Sequence, residues 1–236
     1  MQTDIIKKSG AELILEIKNL TKYYKCENEE DNIISIIGFL KRKEEIGIKG
    51  VSFDIYKGKA TGLTGRKKCG KSTLLKLISG VIKPSSGKVL CKGLKMNDMQ
   101  LREMVSYISK SQPCSKEYNC IMLENLIHYA CRNNKDRSDA IVRAEKLIDD
   151  FGLTDYKFKE VIKLPSAIRS KMFIIRGFLS HKAVLCFDQP LMFIEEEYLE
   201  TFKKYIEELV QKGKAIIIAS DEEEIIKSMC DEIITL

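Results

Sequence analysis

Eight residues from Gly65 to Ser72, Gly-Arg-Lys-Lys-Cys-Gly-Lys-Ser, satisfy the pattern G-x-x-x-x-G-K-[ST]. Glycine at both ends lets the backbone turn tightly, so successive N–H groups face one concavity that suits phosphate oxygens. In a loop of this kind Lys71 reaches the outer phosphates and the Ser72 hydroxyl joins the shell of a Mg²⁺ ion, while Gly65, Lys68, Cys69, Gly70 and Thr73 build the wall around the phosphates. Such a metal needs a second oxygen donor. Asp188, which ends the apolar run Val184-Leu185-Cys186-Phe187, is placed to hold the Mg²⁺ shell through water.

A phosphate loop works only between a strand and a helix. Val51 to Tyr56 alternates apolar and polar residues, Lys57-Gly58-Lys59 turns the chain, and Ala60 to Thr64 reads as a short buried strand entering the loop. Behind it, Ser72 to Ser79 carries Leu74, Leu75, Leu77 and Ile78 at helical spacing, so the positive end of a helix faces the phosphates. These flanks tell against the alternative of a glycine-containing surface turn.

The chain has 236 residues, 44% of them hydrophobic, enough for a core in one large domain or two small ones. Lys and Arg outnumber Asp and Glu 40 to 34. That excess fits a nucleotide-binding or membrane-adjacent surface and is too diffuse to point to nucleic acid. The eight cysteines form no C-x-x-C pair and no zinc spacing, and with no signal peptide they read as reduced cytosolic thiols. The longest apolar runs, such as Ile33 to Leu40, fall well short of the roughly 20 residues that span a bilayer, so a membrane role requires a partner.

In chain order, Leu13 to Leu20 alternates as a strand and leads to Thr21-Lys22-Tyr23-Tyr24. Residues 26–47 depart in composition and read as an insertion between two strands, with a short amphipathic helix. Lys88 to Cys91 returns as a strand, Leu101 to Ser109 leads to another, and residues 112–165 read as a helical subdomain with Leu123 to Ala130 and Ala140 to Phe151 as its clearest helices. Ser166 to Leu179 is one more helix. The alternation of helix Tyr198 to Lys212, strand Ala215 to Ala219, helix Glu222 to Met229 and strand Glu232 to Leu236 implies parallel pairing with right-handed crossovers.

From Leu13 to Leu236 the order of landmarks resembles the ATP-binding cassette (ABC) ATPases. Leu20-Thr21-Lys22-Tyr23-Tyr24 is similar to the strand end where that family stacks an aromatic on adenine, with Tyr24 the better candidate than Tyr23. Gly50-Val51-Ser52-Phe53-Asp54-Ile55, Leu77-Ile78-Ser79-Gly80 with Pro84-Ser85-Ser86-Gly87, and Met229-Cys230-Asp231-Glu232-Ile233 resemble three further family phrases. The resemblance implies a single α/β P-loop NTPase domain over residues 1–236, with a mostly parallel core sheet, an N-terminal antiparallel β subdomain and an inserted α-helical subdomain. It also implies ATP and Mg²⁺ as ligands, a membrane permease and a second cassette subunit as partners, and a cytoplasmic location peripheral to the inner face of the membrane. No nucleic-acid partner is expected.

Against that family pattern the chain departs repeatedly. Lys67 and Lys68 stand where small residues are usual, and Lys68 falls where glycine is common, which predicts either backbone strain or a looser wrapping of the phosphates. Gln189 follows Asp188 where the family has Glu; an amide cannot accept a proton as a general base, although a Gln can orient water. Ser220-Asp221 replaces the switch histidine. The signature phrase Leu-Ser-Gly-Gly-Gln becomes Leu164-Pro165-Ser166-Ala167-Ile168, leaving Ser166 to donate a hydrogen bond to a partner's nucleotide. The coupling-loop glutamine becomes Lys110, with Gln112 two positions on, and the loop Leu191-Met192-Phe193-Ile194-Glu195 ends in Glu where Asp is usual. His128 and His181 read as structural. Together these changes predict a cassette that binds nucleotide better than it hydrolyses it. Two other functions fit the sequence: a non-catalytic, nucleotide-gated regulatory or assembly protein, and a soluble cassette protein acting on ribosome or DNA.

Overall fold

Two long strands, β1 (Leu13–Lys25) and β2 (Glu44–Tyr56), form an antiparallel ribbon in a computed structural model that describes residues 11–25, 44–109, 119–131 and 136–236. Alternation carries Leu15 and Ile17 inward. A register shift between Ile17 and Leu20 then adds one residue, so Leu20 rather than Asn19 is buried next. Asn19 absorbs the shift in a left-handed conformation, φ 50°, with its N–H donated to the Ser52 hydroxyl. Strands β4 (Ser86–Cys91) and β5 (Leu94–Lys95) complete this sheet in the order β2-β1-β4-β5.

The second sheet is wholly parallel. It contains β3 (Ala60–Thr64), β6 (Val105–Ile108), β7 (Val184–Asp188), β8 (Ala215–Ala219) and β9 (Glu232–Thr235), ordered β6-β7-β8-β3-β9. Strands β3, β7 and β8 are buried at every position. Their apolar runs suit a sheet covered on both faces. On one face lies α1 (Lys71–Ile78), whose Leu74, Leu75, Leu77 and Ile78 share a core with Leu15 and Ile17 of the antiparallel sheet and Val184 and Ile217 of the parallel one. The helix that opens at the phosphate loop is therefore clamped between the two sheets.

The other face is covered by α3 (Met122–Cys131), α4 (Arg137–Asp150), α5 (Ser166–Arg176), α6 (Leu199–Gln211) and α7 (Glu223–Met229), around a second core that includes Phe151, Phe178, Phe187 and Phe202. The Phe178 ring lies 5.0–5.9 Å from four neighbouring rings, those of Phe151, Phe187, Phe202 and Tyr205.

Several boundaries differ from the sequence reading. Strand β1 runs on to Lys25, and β2 begins at Glu44, so residues 44–47 belong to the strand rather than to an insertion. Residues 26–43, including the Ile33 to Leu40 run, lie outside the described residues, as do Lys110 and Gln112. Helix α2 (Asp98–Met104) precedes β6; its signal was the capping box in which the Asn97 side chain and the Gln100 amide serve each other's backbone. Helix α5 ends at Arg176 and passes into a 3₁₀ turn, Gly177–Leu179. Gly177 packs so closely that a Cβ there would stand 2.9 Å from the Phe187 ring.

Candidate functional site

Because β7, β8 and β3 are adjacent and parallel, their carboxyl ends emerge at one edge, the place where open α/β sheets bind ligands. The loop 65–70 leaves β3 there, Asp188 ends β7, and Asp221 lies two residues beyond β8. The loop is held tightly from both sides. A Cβ on Gly70, at φ 104°, would stand 2.2 Å from the Gly47 carbonyl oxygen of β2, and one on Gly65 would stand 2.7 Å from the Leu236 carbonyl oxygen. Lys68 takes the left-handed conformation at φ 66°, at a cost of about 1–2 kcal/mol for a side chain with a Cβ. Its side chain and that of Lys67 are exposed at the mouth of the cleft.

Lys71 is buried, with 4% of its side chain exposed. Its Nζ donates to the carbonyl oxygens of Gly65 at 2.7 Å and Arg66 at 3.1 Å, meets the Asp221 carboxylate at 3.0 Å, and lies 3.5 Å from Cys69 Sγ. The Gln189 side-chain Nε2 donates to the same Asp221 oxygen at 3.1 Å. Gln189 itself is left-handed, φ 54°, and its backbone N–H is tied to the Ala219 carbonyl oxygen, which aims the side chain across the strand ends toward Asp221. The Lys71 ammonium holds the Asp221 carboxyl below the usual carboxylate range; the Gln189 amide and the charge of Lys67 act in the same direction, and burial opposes them.

A second contact set surrounds Asp188. Ser72 Oγ donates to Asp188 Oδ1 at 2.9 Å, and the Tyr107 hydroxyl donates to Oδ2 at 2.6 Å. Burial and the bond to Asp188 push the Tyr107 phenol well above its ordinary range, which keeps it a donor. Tyr107 was absent from the sequence-based set. Its signal was positional: it is paired with Cys186 in the parallel β6–β7 register, which sets it one strand away from Asp188.

A cleft of about 640 Å³ is lined by Tyr24, Glu45, Ile46 and Gly47 on the antiparallel sheet, by residues of the loop and α1 including Lys71 and Ser72, and by Gln189, Met192 and Asp221; Asp188 and Tyr107 lie behind this lining, with Asp188 joined to it through Ser72. The Tyr24 hydroxyl lies 3.2 Å from Thr73 Oγ1, and its ring packs over Gly47, where a Cβ would come within 2.7 Å of it. Tyr23 is not part of this lining; its backbone N–H is bonded to Ser85 Oγ. Gly65 and Cys69 lie behind the lining as structural parts of the loop. Ser166 is the exposed first residue of α5, away from the cleft and available to a second molecule. Neither His128, which is exposed, nor His181 borders the cleft.

The donor chemistry fits the expected ligands. Ser72 and Asp188 present a hydroxyl and a carboxylate 2.9 Å apart, an oxygen-only pair of the kind Mg²⁺ takes together with waters and substrate phosphates. The glycine loop and the start of α1 supply backbone N–H groups for phosphate. A glycine loop between a parallel strand and a helix, a strand-end aspartate on a nearby strand, and an antiparallel sheet flanking the cleft together define a P-loop nucleotide-binding cassette.

The comparisons with known proteins make this more particular. Residues 48–192 match the ABC transporter family, and the chain belongs to it. It is 24% identical over 198 residues to the ABC transporter ATP-binding protein NatA of Bacillus subtilis (strain 168), covering 83% of this chain and 80% of that protein. It is also 24% identical over 237 residues to the phosphonates import ATP-binding protein PhnC of Treponema denticola, covering 95% and 86%. Among solved structures, an ATP-binding subunit of an ABC transporter superposes with a TM-score of 0.74 at 19% identity, covering 94% of this chain and 85% of that one. A dimeric ATP-binding cassette in a post-hydrolysis state with ADP and phosphate gives 0.72 at 19% identity, covering 94% of each. No helix among the described residues is long and apolar enough to cross a membrane.

Proposed function

We propose that this chain is the ATP-binding subunit of an ABC transporter that holds Mg-ATP in the cleft and passes nucleotide-driven pairing of two cassettes to a membrane permease, with little hydrolysis of its own. The observation that carries the reading is an intact Ser72–Asp188 pair beside a Lys71–Asp221–Gln189 cluster. In this reading Lys71 takes the outer phosphates, Ser72 and Asp188 hold Mg²⁺, Tyr24 stacks on the base, and the loop from Gly65 to Thr73 wraps the phosphates. The group next to Asp188 is an amide already bonded to a carboxylate, so Gln189 orients water at most and takes no proton. Ser166, exposed at the start of α5, faces the nucleotide of a second cassette.

Several relatives are named for import, including PhnC, and this supports an import system with the cassette docked at the inner face of the membrane. The test compares steady-state ATP hydrolysis of the purified chain with that of the double variant Gln189→Glu, Asp221→His. The double variant should turn over at least ten times faster. Equal rates would refute weak hydrolysis, and recovery of the chain from its native membrane as a lone monomer would refute the transporter assembly.

A further inference from the structure

The Lys71 ammonium has three N–H bonds to give. The structure sets them among four partners, the Gly65 carbonyl, the Arg66 carbonyl, the Asp221 carboxylate and Cys69 Sγ, at 2.7, 3.1, 3.0 and 3.5 Å. The first two contacts close the loop on itself. The third is an anion, paired with the same ammonium that the nucleotide-binding reading assigns to an outer phosphate. The same Asp221 oxygen also accepts from Gln189 Nε2 at 3.1 Å, while Glu222, the next residue, donates its N–H to Ser220 Oγ and fixes the turn that carries Asp221. Ser220 is 1% exposed and its own N–H is bonded to the Leu63 carbonyl oxygen of β3, so the turn is anchored to the sheet.

We propose that Asp221 is a specificity-determining residue that occupies the place of the terminal phosphate, so that the site as built favours a nucleoside diphosphate over a triphosphate. This rests on the nucleotide-binding reading above. A diphosphate brings one outer phosphate to the Lys71 ammonium and can share it with Asp221. A triphosphate adds a further anionic group on the same ammonium, and must expel Asp221 from both Lys71 and Gln189 or sit against its charge. Where a triphosphate expels Asp221, it breaks the carboxylate's contacts with both Lys71 and Gln189.

The test measures Kd for Mg-ADP and Mg-ATP by titration calorimetry on the full chain, on Asp221→Asn, and on Glu222→Gln as a control that removes an equal charge from the adjacent exposed position. The wild-type chain should bind ADP at least about tenfold more tightly than ATP, which is about 1.4 kcal/mol. Asp221→Asn should raise ATP affinity about tenfold and change ADP affinity less than threefold, and Glu222→Gln should move neither. Equal wild-type affinities, or an Asp221→Asn gain shared by both nucleotides, would overturn the inference while leaving nucleotide binding standing. Absence of binding by every protein would refute the proposed function and the inference with it. If Asp221→Asn does not fold, the wild-type ratio decides alone.

Discussion

Tyr107→Phe removes one oxygen atom and tests how Asp188 is held. The phenol donates to Asp188 Oδ2 at 2.6 Å while Ser72 takes Oδ1 at 2.9 Å, and Asp188 is only 8% exposed, so water does not readily replace the lost donor. A hydrogen bond to a charged, buried acceptor is worth about 1.5–3 kcal/mol. For a chain of 236 residues that corresponds to a drop of about 3–6 °C in Tm, measurable by calorimetry on the nucleotide-free protein. The second readout separates orientation from stability. With Tyr107 in place both carboxylate oxygens are fixed, one by the phenol and the other by Ser72; without it Ser72 alone orients the carboxylate. The Mg²⁺ concentration for half-maximal nucleotide binding should rise about 10- to 100-fold, the usual effect of losing a partner that orients a metal ligand. A lower Tm with unchanged Mg²⁺ dependence would refute the orienting role, and no change in either would refute the hydrogen bond.

Two other outcomes follow from the packing. Gly70→Ala forces a Cβ to within 2.2 Å of the Gly47 carbonyl oxygen and 2.4 Å of Ile48, at a φ of 104° that side chains rarely adopt, so the loop must part from β2. A loss of about 2–4 kcal/mol in denaturant titration, with nucleotide binding abolished, is expected. Cys230 is half-buried, and burial, aided by the adjacent Asp231 charge, pushes its thiol up to about 12. Thiolate is the reactive form, so the rate of Cys230 carboxymethylation, followed by peptide mass spectrometry, should still be climbing at pH 10. A plateau just above the ordinary thiol value of 9.0 would contradict that environment.

Much of the parallel sheet was legible because its strands carry their own signal. Ala60–Thr64 and Ala215–Ala219 have the bounds read from the sequence, since a short apolar run bordered by Gly, Lys or Ser has few other places to go in a chain of alternating elements. The ribbon was harder. Its bulge at Asn19 breaks the period of two, so alternation alone ended β1 at Leu20 although the strand continues to Lys25. Helix α2 escaped because seven residues are too few to show a period, and only the Asn97–Gln100 capping box marks it. In the site, Tyr107 has no motif of its own and becomes significant only through its place beside β7.

The sequence by itself determined which chemistry the chain carries. The spacing of Gly65, Gly70, Lys71 and Ser72 is local, and a loop of that length has few ways to turn, so its capacity for phosphate follows from neighbouring residues. Gln189 directly after Asp188, and Asp221 two residues after the run Ala215 to Ala219, are likewise plain from the order of residues. Tertiary structure alone decided how those side chains meet. Ser72 and Asp188 are 116 positions apart, and Gln189 and Asp221 are 32 apart. They meet because parallel pairing delivers the ends of β3, β8 and β7 to one edge. That geometry makes Asp221 a carboxylate bound to Lys71, a contact no spacing rule contains because it depends on the order of strands in the sheet.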